Sequence, residues 1–238
     1  MLPKETEKVW QFLKGERALA GFVLIGGSAL ALSLEHRISE DLDLVYLGEK
    51  LPRDRMEVLV KNARSRQIEL EPRDDPAAVE EFERGGMDLR DYQQDYLANG
   101  KVRLSFFVAA DGLERILSGG EPESVRVATL PELFKSKCLV SAQRSKTRDW
   151  LDLFVLLKDH GFTMADYEQA FRDARAEFQM DTGLSRLCSG VPQKNDEGYS
   201  HLLKDAPSLE TMRKFFIDRR NEFEVQRAAE KRKGRKYC

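Results

Sequence analysis

The chain has 238 residues, 41% of them hydrophobic and 34% charged, with a net charge of −2; that is enough apolar chain for one good core or two modest ones, as in an ordinary soluble globular protein. The three cysteines, Cys138, Cys188 and Cys238, are odd in number and lack the close spacing of zinc ligands, which argues against a disulfide scaffold or a zinc module and for a reducing cytoplasm. The opening MLPKETEKVW carries charges where a signal peptide needs an apolar run, and no later stretch is long and apolar enough to span a bilayer, so neither secretion nor membrane insertion is expected.

The elements follow in chain order. Residues 4–18 place Val9, Trp10, Phe12 and Leu13 at helical spacing among charges, and Gly21 then breaks the pattern before FVLIGG, which reads as a buried strand ending in a tight turn. From Ser28 to Leu34 an alanine- and leucine-rich stretch predicts a helix, and DLDLVYL at 41–47 predicts a strand with one wet face. A helix is expected from Pro52 to Arg66 and a short strand at QIELEP. Asn99-Gly100 is a strong hairpin signal and predicts paired strands near 88–97 and 102–108. A further strand is expected at Ser124 to Ala128. Beyond it the pattern is helical, opening on Thr129-Leu130-Pro131-Glu132 as a capping box, with a helix end at His160-Gly161 and a new start at Thr163. The expected class is thus α/β, a short mixed sheet flanked by helices over 1–128, followed by a mostly helical part over 129–238. Residues 213–238 hold ten Lys or Arg against four Asp or Glu, a basic C-terminal arm that suits a phosphate backbone and equally suits a solvated helix face.

Chemistry concentrates in two places. Asp41 and Asp43, two residues apart on a strand, project from one face, and two carboxylates aimed at one point suit a hard cation such as magnesium or manganese. Upstream, the strand ends in Gly26-Gly27-Ser28 at a helix start, where backbone amides and the helix dipole meet an anion and missing side chains permit close approach. Ser28 suits a phosphate contact or a helix N-cap. In the second block Lys137 and Arg144 lie seven apart, hence on one helical face, able to reach a triphosphate, while Arg148 and Asp152 are also spaced as an ordinary i,i+4 ion pair.

Gly26-Gly27-Ser28 followed by Asp41-Leu42-Asp43 resembles the signature of the DNA polymerase beta-like nucleotidyltransferases. The wider string GGSALALSLEHRISEDLDL looks like the AbiEii/AbiGii-type branch, the toxins of abortive-infection and type IV toxin–antitoxin systems, through Arg37-Ile38-Ser39-Glu40-Asp41-Leu42-Asp43. LPELFKSKCLVSAQRSKTRDWLDLFVLL is similar to that family's later motif, with Lys137, Arg144, Arg148, Asp149 and Asp152 at matching positions. The resemblance covers Phe22 to Leu157. It implies magnesium-dependent transfer of a nucleoside monophosphate from a nucleoside triphosphate (NTP) to an acceptor hydroxyl, with an RNA such as a tRNA end as acceptor and an antitoxin protein as partner. In that reading Asp41 and Asp43 hold the metal, Gly26, Gly27 and Ser28 the phosphates, and Lys137 and Arg144 neutralise the triphosphate; Arg37 holds the Asp-x-Asp loop or a phosphate, and His36 is structural or gating. The superfamily's third carboxylate should stand on the strand KVRLSFFV, where this chain has Ser105, neither a charged ligand nor a base at neutral pH. Asp88, Asp91 and Asp95 on the partner strand are the substitutes in view. Two other readings stay open: a small-molecule nucleotidyltransferase, favoured by the acidic body of residues 1–212, and a silent nucleotide- or RNA-binding module, favoured by Ser105.

Overall fold

The computed structural model describes residues 1–110, 112–119, 121 and 123–234, with 230–234 as backbone alone; the side chains of the KRKGRK run and Cys238 lie outside the described residues. The chain divides into two compact units, Met1–Leu133 and Phe134–Cys238.

In the first unit, α1 (Lys4–Lys14) buries Val9, Trp10 and Leu13 and stops short of the expected residue 18, because Arg17–Leu19 tightens into a 3-10 turn. Then come β1 (Phe22–Ile25), buried throughout, α2 (Gly26–Leu34), β2 (Leu42–Tyr46), α3 (Arg53–Ser65) and β3 (Leu70–Pro72). Helix α4 (Pro76–Arg84) is absent from the sequence reading. It buries no residue, with Ala78, Val79 and Phe82 on its apolar side only half-buried, and the Asp75 carboxylate accepts from the Ala77 amide while Pro76 occupies the first turn. Strands β4 (Gln93–Ala98) and β5 (Val102–Val108) follow, then the single turn α5 (Leu113–Ile116) and β6 (Arg126–Val127).

The six strands form one mixed sheet in the order β3-β4-β5-β2-β1-β6, with β1–β6 and β2–β5 parallel and the other pairs antiparallel. The β4–β5 hairpin turns at Asn99 and Gly100, with φ of 50° and 67°, as a two-residue turn of the primed type demands. Asn99 also ties in β3, accepting from the Glu69 amide at 2.9 Å through its side chain. One sheet face is closed: Phe22, Leu24, Leu42, Leu44, Leu104, Phe106 and Tyr96 are buried, and Phe106 meets Phe22 and Tyr96 edge to face. The other face carries the row Ile25, Asp43, Ser105, Asp95 across four strands. This alternation puts the polar side chains of β2, β5 and β4 on a common surface while their neighbours hold the core.

Helix α6 (Leu130–Gln143) opens as the sequence predicts. Glu132 reaches back to the Thr129 amide at 2.7 Å and its hydroxyl at 2.9 Å, and also accepts from the Ser118 amide and from both terminal nitrogens of Arg126. The second unit is helical: α7 (Thr147–Asp159), α8 (Met164–Asp173), α9 (Met180–Ser189) and α10 (Leu209–Gly234). Gly161, at φ +75°, ends the turn after α7, and Thr163 and Asp166 form a complete capping box at α8. Trp150, Tyr167, Phe171 and Phe216 fill the core. Gly183 lets α9 approach closely, since a Cβ there would strike the hydroxyls of Tyr167 and Ser141. Among the described residues no helix is long and apolar enough to cross a membrane. The fold meets the α/β expectation, a short mixed sheet flanked by helices and then a mainly helical part.

Candidate active site

The glycine turn and the aspartate strand are built against each other. Gly26 has φ +75°, and a Cβ at that position would lie 2.5 Å from Asp43 Oδ2; only glycine lets the carboxylate lie over the start of α2. A Cβ at Gly27 would lie 2.5 Å from Arg37 Nη2 and 2.8 Å from Ser39 Oγ. The N-cap of α2 is Ile25, with no side-chain cap, so Ser28 is not the N-cap the sequence suggested. Its buried hydroxyl instead donates to the Asp41 carbonyl. With Thr6 Oγ1 donating to the Glu40 carbonyl at 3.1 Å and Arg37 Nη1 donating to the Ile38 carbonyl at 2.9 Å, the loop carrying Asp41 is fixed from three sides. Arg37 is buried, at 4% exposure, as is Ser39. Ser39 and Thr6 are supports that the sequence reading did not single out, although Ser39 stands in the quoted Arg-x-Ser string.

Asp43 lies on β2, and Asp41 stands one residue before it, a small departure from the expected strand-borne pair. Both are half-buried. The donor set fits a hard cation: two carboxylates beside an uncapped helix N-terminus, the number magnesium takes from protein when phosphates and water fill its other positions. Ser105 stands in register with Asp43 on β5.

The three substitute acids are placed by the fold. Asp88 and Asp91 are not on the hairpin strand; they belong to the turn before β4, where Arg53 reaches both and Lys50 bonds Asp91 at 2.7 Å. Asp95 does share the row, beside Ser105, with β5 standing between its strand and that of Asp43. Its Oδ2 accepts from Gln93 Nε2 at 2.6 Å and its Oδ1 is buried without a hydrogen-bond partner.

In the second unit Lys137, Arg144, Asp149 and Asp152 form one cluster. Lys137 Nζ sits 2.6 Å from Asp149 Oδ1 and 2.7 Å from Asp152 Oδ2, with all three side chains at most 6% exposed. Arg144 stands one residue past α6, its amide bonded to the Val140 carbonyl, and its Nε donates to Asp149 Oδ2 at 2.8 Å from a side chain 47% exposed. Burial alone would raise the Asp149 pKa; the charges of Lys137 and Arg144 overcome it and hold the carboxyl below the ordinary aspartate value. The cluster therefore presents a fixed, ionised carboxylate that orients one buried and one half-exposed cation. Arg148 does not make the i,i+4 pair with Asp152 that spacing allows. Its Nε donates to the Gly198 carbonyl at 3.1 Å, because Asp152 turns inward to Lys137.

The family model "Nucleotidyl transferase AbiEii toxin, Type IV TA system" matches residues 12–232. Two solved structures align along nearly their full length: JHP933 from Helicobacter pylori, at 19% identity and TM-score 0.49, covering 96% of this chain and 97% of that one, and a second H. pylori protein designated a nucleotidyltransferase, at 17% identity and TM-score 0.49, covering 94% and 98%. No curated protein matches. The assignment rests on the family model, which reaches well past the Leu157 limit of the motifs: the chain belongs to the AbiEii family, the nucleotidyltransferase toxins of type IV toxin–antitoxin systems.

Proposed function

We propose that this nucleotidyltransferase moves a nucleoside monophosphate from an NTP to a hydroxyl of an RNA acceptor, with Asp41 and Asp43 as the residues that hold magnesium. The observation that carries the reading is the contact of Gly26 with the Asp43 carboxylate, which joins an anion-binding helix start to a cation-binding acid. The first-turn amides of α2 at Gly27 and Ser28 receive phosphate oxygens, and Arg37 buttresses the turn from beneath. Lys137 and Arg144, oriented by Asp149 and Asp152, supply positive charge for the triphosphate. Bound magnesium would supply charge neutralisation at the phosphates. The acceptor oxygen forms the new bond to the α-phosphorus as the bond to the β-phosphate oxygen breaks, and pyrophosphate leaves. With serine at 105, positioning and preorganised charge provide most of the acceleration.

An RNA acceptor draws on the ten cations among residues 213–238, and a cognate antitoxin is the expected protein partner. The test is incubation with each labelled NTP, magnesium and total RNA, using the full chain and a chain lacking residues 231–238. Label should enter RNA, and the truncated chain should lose both rate and salt sensitivity. Label entering only small molecules would refute the RNA acceptor, and truncation without effect on either quantity would remove the basic arm from its binding.

A further inference from the structure

The turn joining α6 to α7 carries Arg144 and leads straight into Asp149. The N-cap of α7 is Lys146, with no side-chain cap of its own. The missing cap arrives from 49 residues downstream. Asp196 Oδ1 accepts from the Thr147 amide at 3.0 Å and Oδ2 from the Thr147 hydroxyl at 2.6 Å, and Oδ2 also accepts from the Gly198 amide at 3.2 Å. Gln193 grips the preceding residue twice: its amide donates to the Ser145 carbonyl at 2.9 Å, and its side-chain carbonyl accepts from the Ser145 amide at 3.3 Å. Arg148 closes the far side on the Gly198 carbonyl, with Glu197 3.7 Å from Lys146 and 3.8 Å from Arg148.

We infer that residues 193–198 form a positioning clasp for the nucleotide-charge cluster, with Asp196 as its principal residue. Thr147 is nearly fully buried, at 2% exposure, and stands two residues before Asp149 in the same helical turn. A carboxylate on the first amide of α7 fixes that turn and is favoured by the helix dipole. The position of Asp149 then fixes both Lys137 and Arg144, since each donates to it. Asp196 touches none of the three, so it acts through the helix start.

The inference rests on the proposed roles of Lys137 and Arg144, and its test separates the two. Asp196→Ala removes the acceptor, while Asp196→Asn keeps one acceptor oxygen and is the conservative rescue. NTP-dependent label transfer is measured for both, together with acylation of Lys137 by acetic anhydride, read by mass spectrometry, which requires no turnover. Asp196→Ala should raise the KM for NTP about tenfold with a smaller change in kcat, and should raise Lys137 acylation several-fold; Asp196→Asn should lie within about threefold of the parent in both. Thr147→Val, which deletes only the hydroxyl, should fall between them. Unchanged KM and unchanged Lys137 acylation in Asp196→Ala would overturn the clasp. Equal damage from Asn and Ala would do so too, since the rescue would then have failed. Changed acylation with unchanged transfer would leave the clasp standing and remove Lys137 from the reaction.

Discussion

Position 26 shows how narrowly a single residue is constrained. A methyl group there would meet the Asp43 carboxylate at 2.5 Å on a backbone with φ +75°, whereas Gly100 has nearly the same φ, +67°, and nothing within 4 Å. The two positions separate backbone strain from damage to the site. Gly26→Ala and Gly100→Ala should each lose about 1–2 kcal/mol of stability in urea denaturation, but only Gly26→Ala should lose nucleotide transfer, by more than about tenfold. Equal transfer in the two variants would remove Gly26 from the site. Asp149 sits in a second residue-scale balance, because it compensates Lys137 in a place that excludes water. Asp149→Ala leaves buried Lys137 with Asp152 as its carboxylate partner and frees Arg144, and should cost about 1.5–3 kcal/mol. Lys137→Met takes the shared cation from both Asp149 and Asp152 and should also destabilise; a double-mutant cycle with Asp149→Ala in urea would measure the coupling of the pair.

At the scale of elements, the start of α6 predicts an acid-sensitive joint. Glu132 is nearly buried, and although burial would raise its pKa, hydrogen bonds from Arg126, Ser118 and Thr129 win and lower it to about 2. A carboxylate whose pKa is lower in the folded chain stabilises the fold above the unfolded value of about 4.5, and loses that contribution as pH falls toward 2. Glu132→Gln should flatten the stability–pH curve of the parent between about pH 4.5 and pH 2; a curve of unchanged slope would show that Glu132 carries no such linkage. The Thr129–Glu132 box of this joint was legible in sequence, as were β1, β2, the Asn99-Gly100 hairpin and the helix start at Thr163, because each rests on residues within a few positions of one another, whereas the Ser118 and Arg126 bonds to Glu132 were not. The Gly26–Asp43 pairing was legible as a motif, but its close contact was not, since it needs the register of β1 on β2. Helix α4 was missed for want of a buried stripe, and the Asp196 cap because a partner 49 residues away leaves no local trace. The geometry also moved Asp88 and Asp91 off the hairpin and tied them into ion pairs that no spacing rule foretells.

Over the whole molecule, charge is unevenly shared, with the net of −2 made of +6 in residues 213–238 and −8 in the rest. An acidic body repels a triphosphate at long range, so the proposed reading requires local positive charge to overcome that field. On the proposed reading, with serine at 105, transfer should depend steeply on each of Asp41 and Asp43. The most direct measurement is transfer of label from the α-phosphate of an NTP by the full chain, with and without magnesium, compared with Asp43→Ala. The parent should transfer label only with the cation, and Asp43→Ala should fall by at least about a thousandfold while keeping its fold by circular dichroism; label transfer surviving Asp43→Ala, or proceeding unchanged in chelator, would contradict the site.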